Sequence, residues 1–293
     1  MPPGPIPRDE LSNLCEKCTG RCFQFLTIQI LLIVAAISLS LWNGAWWIYL
    51  ISVFIIGSRQ YALGEVLVHD ASHGNLSSNR RINNVLGTAL SWLFLFTFQG
   101  YRRFHLQHHN LSLGDPENSI YEQYEDWRLP ISGSPLSTLH VFWLLILRPI
   151  FGIVAFFQAY TTVSDLYWDR DFKENSFMFF TWVIGLIIFW QVGILWEFFI
   201  YWVVPYFYVF ATMNYWSEIS DHYRCGVSET RTYIGWGWNR LFGGNLGYHI
   251  IHHKYPGIPW FNLRIAHQKY GSLIGGQIFR DPVQIFKQIR DDT

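Results

Sequence analysis

Charge is scarce in this chain. Only 14% of its 293 residues are Asp, Glu, Lys or Arg, and the 21 basic residues are cancelled by 21 acidic ones. So sparse and balanced a charge gives no field for a phosphate backbone, which excludes a nucleic-acid partner. With 51% hydrophobic and 19% aromatic residues beside it, the low charge also excludes an ordinary soluble domain and points to the lipid bilayer. Cysteine is equally scarce, at four residues. Cys15, Cys18 and Cys22 form a C-x-x-C-x-x-x-C run with no fourth ligand near it, so they read as reduced thiols rather than a metal or redox site. The proline-rich start, Met1 to Arg8, lacks the basic, apolar and small-residue sequence of a cleaved signal peptide. A retained polar leader over residues 1–22 is expected, followed by one membrane domain over 23–293. Neither an internal repeat nor a linker suggests a second folded unit.

What the chain has instead is long apolar runs. A helix crosses the hydrocarbon core with roughly 20 apolar residues, and four uncharged windows approach that length. Phe23 to Trp42 and Ala45 to Gly64 flank the tight-turn pair Asn43-Gly44; Phe177 to Val192 and Trp196 to Met213 flank Gly193-Ile194-Leu195. Each pair reads as a transmembrane hairpin. Two further stretches, Leu86 to Phe98 and Leu136 to Tyr160, are too short or interrupted by Arg148-Pro149, and read as interfacial or half-inserted helices. The turns of the hairpins carry no Lys or Arg. Arg80, Arg81, Arg102, Arg103, Arg224, Arg231, Arg240 and Lys254 all fall between or after the hairpins, which assigns that face and both termini to the cytoplasm. The expected fold is an all-α membrane protein: two transmembrane helical hairpins giving four spans, interfacial helices, and a cytoplasmic histidine-rich cap.

The chain is also rich in patterned histidine. Eight of its 11 histidines fall in three groups, His69-x-x-x-His73, His105-x-x-His108-His109 and His249-x-x-His252-His253. Residues three and four apart on a helix project from one face, so each group can present imidazoles to a common point. Neutral imidazole binds iron, zinc, copper or nickel. One such pair is as often a solvated pair as a ligand pair; three groups on the same predicted face are a metal site. His222, just after the fourth span in Glu218-Ile-Ser-Asp221-His222, sits where a ninth ligand can lean in. His140 and His267 have no partner at helical spacing and read as structural or exposed. Eight or nine imidazoles exceed one coordination sphere, so two metals are implied. Asp70, Glu218 and Asp221 are candidates to orient the imidazoles or hold a metal-bound water, against the plainer reading of solvated surface carboxylates.

These residues resemble the membrane fatty acid desaturase and hydroxylase superfamily, whose three boxes are H-x(3,4)-H, H-x(2,3)-H-H and H-x-x-H-H. The likeness runs from about Phe23 to Leu263. Val68-His69-Asp70-Ala71-Ser72-His73-Gly74, Phe104-His105-Leu-Gln-His108-His109 and Tyr248-His249-Ile-Ile-His252-His253-Lys-Tyr-Pro256 are similar to its boxes, and Asp221-His222 to its additional histidine. The layout is also similar to the branch of rhizobitoxine- and rhizopine-type desaturase-like enzymes, and the first box resembles that of carotenoid ketolases. The resemblance implies two iron ions bound by the nine histidines, and an apolar or acyl substrate led toward them. It further implies an external electron donor of ferredoxin or cytochrome b5 type, with its reductase. No His-Pro-Gly-Gly haem segment of a fused cytochrome b5 is found, nor a flavin or dinucleotide fingerprint. The expected reaction is O2-dependent desaturation of an acyl chain or similar substrate, with hydroxylation or ketone formation on a lipid, carotenoid or small amphiphile as the alternative. A membrane zinc hydrolase fits less well, because H-E-x-x-H is missing. A metal carrier fits less well because the histidines lie outside the spans.

Overall fold

A computed structural model describes residues 5–111, 115, 117–131, 134–168, 171–225, 230–235, 237 and 241–291. Arg240, counted above among the cytoplasmic charges, and Met1 to Gly4 of the leader lie outside the described residues. The leader contributes a short helix, α1 (Arg8–Leu14), whose Leu14 is buried with Ile6 against Leu246, Ile251 and Leu263. The first span, α2 (Thr19–Asn43), therefore begins four residues before the apolar window does. It ends at Gly44, whose φ of 71° is open to glycine at no steric cost.

The second span, α3 (Trp46–Ser72), and the fourth, α10 (Leu195–Asp221), both outrun their apolar windows by about two turns. The third, α9 (Phe172–Gln191), lies between them in sequence. Burial separates the spans: 72% of the apolar window of α3 is covered by protein, against 6% in α9. Helix α3 is thus the central element, whereas α9 is apolar on faces that no protein covers, which is what a lipid-facing helix requires. Exposed Trp42, Trp46 and Trp47 at the first turn, and Trp190 and Trp196 at the second, place indoles where a membrane surface would meet them.

Between the spans the chain does not follow the expected segments. Leu86 to Phe98 is not one helix: α4 (Arg80–Trp92) stops, Leu95 turns through a φ of 62°, and α5 (Phe98–Asn110) starts afresh. The break is held from outside, since Trp202 Nε1 and Tyr206 Oη of α10 donate to the carbonyls of Leu93 (3.3 Å) and Phe94 (2.9 Å). A short helix, α6 (Ser119–Asp126), follows. Leu136 to Tyr160 becomes two helices, α7 (Thr138–Ile150) and α8 (Ile153–Trp168), bent by 71° at Phe151-Gly152. Arg148 is buried here because its guanidinium donates to the carbonyls of Trp127 (2.7 Å) and Arg128 (3.1 Å).

Among the described residues, the one departure from an all-α pattern is a parallel pair, β1 (Arg231–Tyr233) with β2 (Gln277–Phe279). It brackets α11 (His249–Lys254) and α12 (Trp260–Ile274), and α13 (Pro282–Asp291) closes the chain.

Candidate metal centre

Helix ends bring the histidines together. His69 lies in the last turn of α3 and His73 directly after it; His222 directly follows α10; the other six lie on α5 and α11. Helix α5 is fixed at its N-terminus. Thr97 Oγ1 accepts from Gly100 N (3.1 Å), and the Glu174 carboxylate of α9 accepts from Phe98 N (2.8 Å) and Gln99 N (3.3 Å). An acidic group at these orphan donors also meets the positive end of the helix dipole. Farther along, Ser119 Oγ donates to Phe104 O at 2.8 Å. Asn75 Nδ2 donates to Pro256 O at 2.8 Å and so ties the turn after the first box to the loop after the third.

The nine imidazoles form two sets. His69, His73, His105, His109 and His252 make one, and His108, His222, His249 and His253 the other; in each set the ligand atoms lie within 4.8 Å of one another. The second and third boxes are therefore each divided between two points, instead of facing one as their spacing suggested. The reason is helical geometry. At about 100° per residue, position i+4 sits about 40° to one side of i and position i+3 about 60° to the other. The i, i+4 pairs His105/His109 and His249/His253 stay together, while His108 and His252 turn to the neighbouring set.

Within each set the Nε2 atoms point at one another. His73 and His105 are 2.8 Å apart, His105 and His109 3.0 Å, and His109 and His252 3.0 Å. In the second set His108 is 3.0 Å from His222 and 3.2 Å from His253, and His249 is 2.8 Å from His222 and 3.1 Å from His253. Rings with one proton each cannot satisfy so many converging nitrogens. Nitrogens about 2.1 Å from a shared metal ion fall about 3.0–3.4 Å apart at right to tetrahedral angles, close to the spacings seen. His69 adds an independent sign: both of its ring nitrogens are buried without a hydrogen-bond partner among the described residues. Each set can hold a metal ion.

Burial favours the uncharged rings that metal binding needs. It lowers His108 to about 4 and His109 to about 3. Burial first, then the charge of neighbouring histidines, drives His73, His105, His249, His252 and His253 well below the ordinary imidazole value. Near them Tyr101 stacks on His105, with ring centroids 5.8 Å apart and planes 4° from parallel. His249 Nδ1 is 3.3 Å from Leu246 O and 3.9 Å from Asp221 Oδ2. Asp221 also accepts from the hydroxyls of Ser217 and Ser220, at 3.3 Å each. Asp70 is fully buried; its Oδ2 accepts from Trp260 N at 3.0 Å, and its Oδ1 lies 3.8 Å from His69 Nδ1. His140 is exposed, and His267 packs on Tyr248 with ring centroids 4.9 Å apart.

A cavity of about 90 Å³ reaches both sets, touching His69 and His105 of one and His108, His222 and His249 of the other. Its wall contains Glu218 and Asp221, and also Glu65, Tyr101, Gln123 and Asn214, which were not singled out from the sequence. Glu65 carried a signal: it is a carboxylate four residues before His69 in Glu65-x-x-x-His69-x-x-x-His73, and an acid in a span is a functional candidate by default. The apolar window, which closes at Gly64, leaves it just outside the span that hydropathy marks.

The sequence profile described as "Fatty acid desaturase" matches residues 44–277. Among curated proteins, the chain is 28% identical over 263 residues to a dihydrorhizobitoxine desaturase of Bradyrhizobium elkanii, covering 80% of this chain and 71% of that one. It is 25% identical to an endoplasmic-reticulum omega-3 fatty acid desaturase of Nicotiana tabacum, covering 96% and 81%. It is 22% identical to a temperature-sensitive chloroplastic sn-2 acyl-lipid omega-3 desaturase (ferredoxin) of Arabidopsis thaliana, covering 96% and 71%. With its apolar spans, its two convergent histidine sets and a profile match across most of its length, the chain belongs to the fatty acid desaturase family of oxidoreductases.

Proposed function

We propose that this chain is a membrane-bound, non-haem di-iron desaturase acting on an acyl chain or a related amphiphile. One iron is held by His69, His73, His105, His109 and His252, and the other by His108, His222, His249 and His253. The observation that carries the reading is the convergence of nine Nε2-bearing rings on two adjacent points, more than a hydrolytic zinc site uses. Bound iron, with O2 and electrons from outside, supplies the oxidising power needed to take hydrogen from an unactivated carbon.

The protein's own part is placement. Desolvated, neutral rings present lone pairs without first losing a proton. Tyr101 limits the tilt of His105, and Asp221 and the Leu246 carbonyl lie where they can hold the His249 tautomer. Asp70 ties the first box to the loop before α12, and Glu218 faces the cavity from one turn before His222. The spans pair as two hairpins from the polar leader onward, residues 23–293 form one domain, and the histidine cap lies with both termini on the cytoplasmic side. Electrons come from a separate carrier of ferredoxin or cytochrome b5 type; one relative carries ferredoxin in its name.

Elemental analysis of the purified chain tests the centre. About two irons per chain are expected, one for each histidine set, with O2 uptake that requires a reductant. A content near one zinc, with no turnover restored by iron, would sink the proposal.

A further inference from the structure

His222 and His249 stand 27 residues apart in the chain, yet their Nε2 atoms lie 2.8 Å from each other. The helical hydrogen bonds of α10 end with those of His222 N to Glu218 O (3.0 Å) and Tyr223 N to Ile219 O (3.3 Å), and Arg224 then turns the chain through a φ of 56°. These bonds seat His222 on α10. They do not hold the end of α10 against the start of α11.

Strand β1 supplies that join. Toward α11, Thr232 Oγ1 accepts from Ile250 N (3.3 Å) and Tyr233 N donates to Gly247 O (2.9 Å), one on either side of His249. Toward α10, Thr230 Oγ1 donates to Asp221 O at 3.0 Å. Between the two threonines lies Arg231, fully buried, whose Nε donates to Cys225 Sγ at 3.0 Å and whose Nη2 donates to Tyr223 O. Cys225 Sγ in turn donates to Asp221 O at 3.4 Å, and Phe279 of β2 backs the guanidinium, with 5.9 Å from Cζ to the ring centroid. One side chain thus grips the residues on both sides of the Arg224 turn, directly after His222. Taking a guanidinium out of water is costly, and here it bonds a carbonyl and a thiol rather than a carboxylate, so it adds little net stability. Its fork is planar and rigid, so what it fixes is geometry.

Resting on the di-iron reading above, we propose that Arg231 is a positioning residue for the second histidine set, holding His222 at the distance from His249 and His253 that a shared metal ion requires. The first set draws its ligands from the end of α3, from α5 and from α11, and none from α10. It is tied together elsewhere, by the bonds of Asn75 Nδ2 to Pro256 O and of Trp260 N to Asp70. Loss of Arg231 therefore acts on one metal ion of the two.

The test uses the full chain in detergent, loaded with iron and dialysed against a chelator, with iron content and the Mössbauer spectrum as readouts. The parent is expected to keep about two irons per chain, each with its own signal. Arg231→Met, an uncharged side chain of similar length at a buried site, should keep about one iron and lose the signal of the second set. Arg231→Lys retains the charge but cannot span both acceptors, so it should fall between the two. A residue needed only for folding would release both irons together as the unfolding midpoint fell, and the lysine would not rescue one iron selectively. Two irons retained in Arg231→Met, or both lost in parallel, would overturn the proposal. Should Arg231→Met not fold, Arg231→Lys decides alone: one iron released at least about tenfold faster than in the parent, with the other unchanged, supports the proposal. No change, or an equal change in both, overturns it. Failure of the desaturase reading shows separately in the parent, as another metal in the sets or O2 uptake that needs no reductant. The order of the variants is then read as content of the metal that is bound.

Discussion

His222 is the one imidazole of the nine that stands alone in the sequence, and its place tests the logic of the centre most sharply. Its Nε2 lies 3.0 Å from that of His108 and 2.8 Å from that of His249, so it joins residues 114 and 27 positions away. Removing a ring from a four-membered set leaves three, and the loss should exceed the roughly 10- to 100-fold that follows removal of an outer partner of a metal ligand. His222→Ala is expected to lose metal and turnover about as severely as His108→Ala, whereas His140→Ala keeps both, since His140 is exposed. Iron content and O2 uptake of the three variants, measured side by side, check this; full iron and turnover in His222→Ala would remove it from the set. At this scale the sequence was informative about identity and less so about arrangement. Spacing of three and four picked out the eight grouped histidines, and position after a span picked out the ninth. The division of the second and third boxes between two sets needed the helix phase of α5 relative to α11, which no local pattern carries. Gln123 is separated from the boxes in sequence and comes to the site only through packing, whereas Glu65 stands one turn before His69 on the same helix.

Among the elements, the spans were legible from their apolar windows, but their ends were not. Hydropathy reports where a helix would face lipid, and α3 and α10 go on past that point to carry Glu65, His69, Glu218 and Asp221 into the site. The break at Leu95 and the three-residue strands depend on partners distant in sequence, so local propensity has no purchase on them. Packing of α3 on α10 rests on a small residue. A Cβ at Gly57 would collide with Val209 and come within 2.8 Å of the Pro205 carbonyl, whereas one at Gly185, on the bare face of α9, meets nothing within 4 Å. Gly57→Ala should cost about 1–3 kcal/mol by overpacking. It should lower the unfolding midpoint in detergent, while Gly185→Ala leaves it unchanged or slightly higher. Equal midpoints for the two variants would show that the two helices separate easily at this crossing.

For the whole molecule the deciding question is which way it sits in the bilayer. The two turns between paired spans hold no Lys or Arg, and the arginines gather on the segments that carry the histidines, including exposed Arg80, Arg81 and Arg103. Positive charge is retained on the cytoplasmic side, so the histidine end should face the cytoplasm and the tryptophan-bearing turns the opposite side. Asn43 and Val192 are exposed at the two turns, and Ser78 is exposed in the loop just beyond the first box. Single cysteines at these three positions, in a chain whose four native cysteines are replaced, report sidedness to a thiol reagent that cannot cross the membrane. Asn43→Cys and Val192→Cys should label from outside and Ser78→Cys only after the membrane is opened. Both turns must label from the same side for two hairpins, because four crossings return the chain to the face it started from. Labelling of Ser78→Cys from outside would invert the orientation. Labelling of the two turns from opposite faces would mean that the bent pair α7 and α8 crosses as a fifth span, which its 71° kink otherwise argues against.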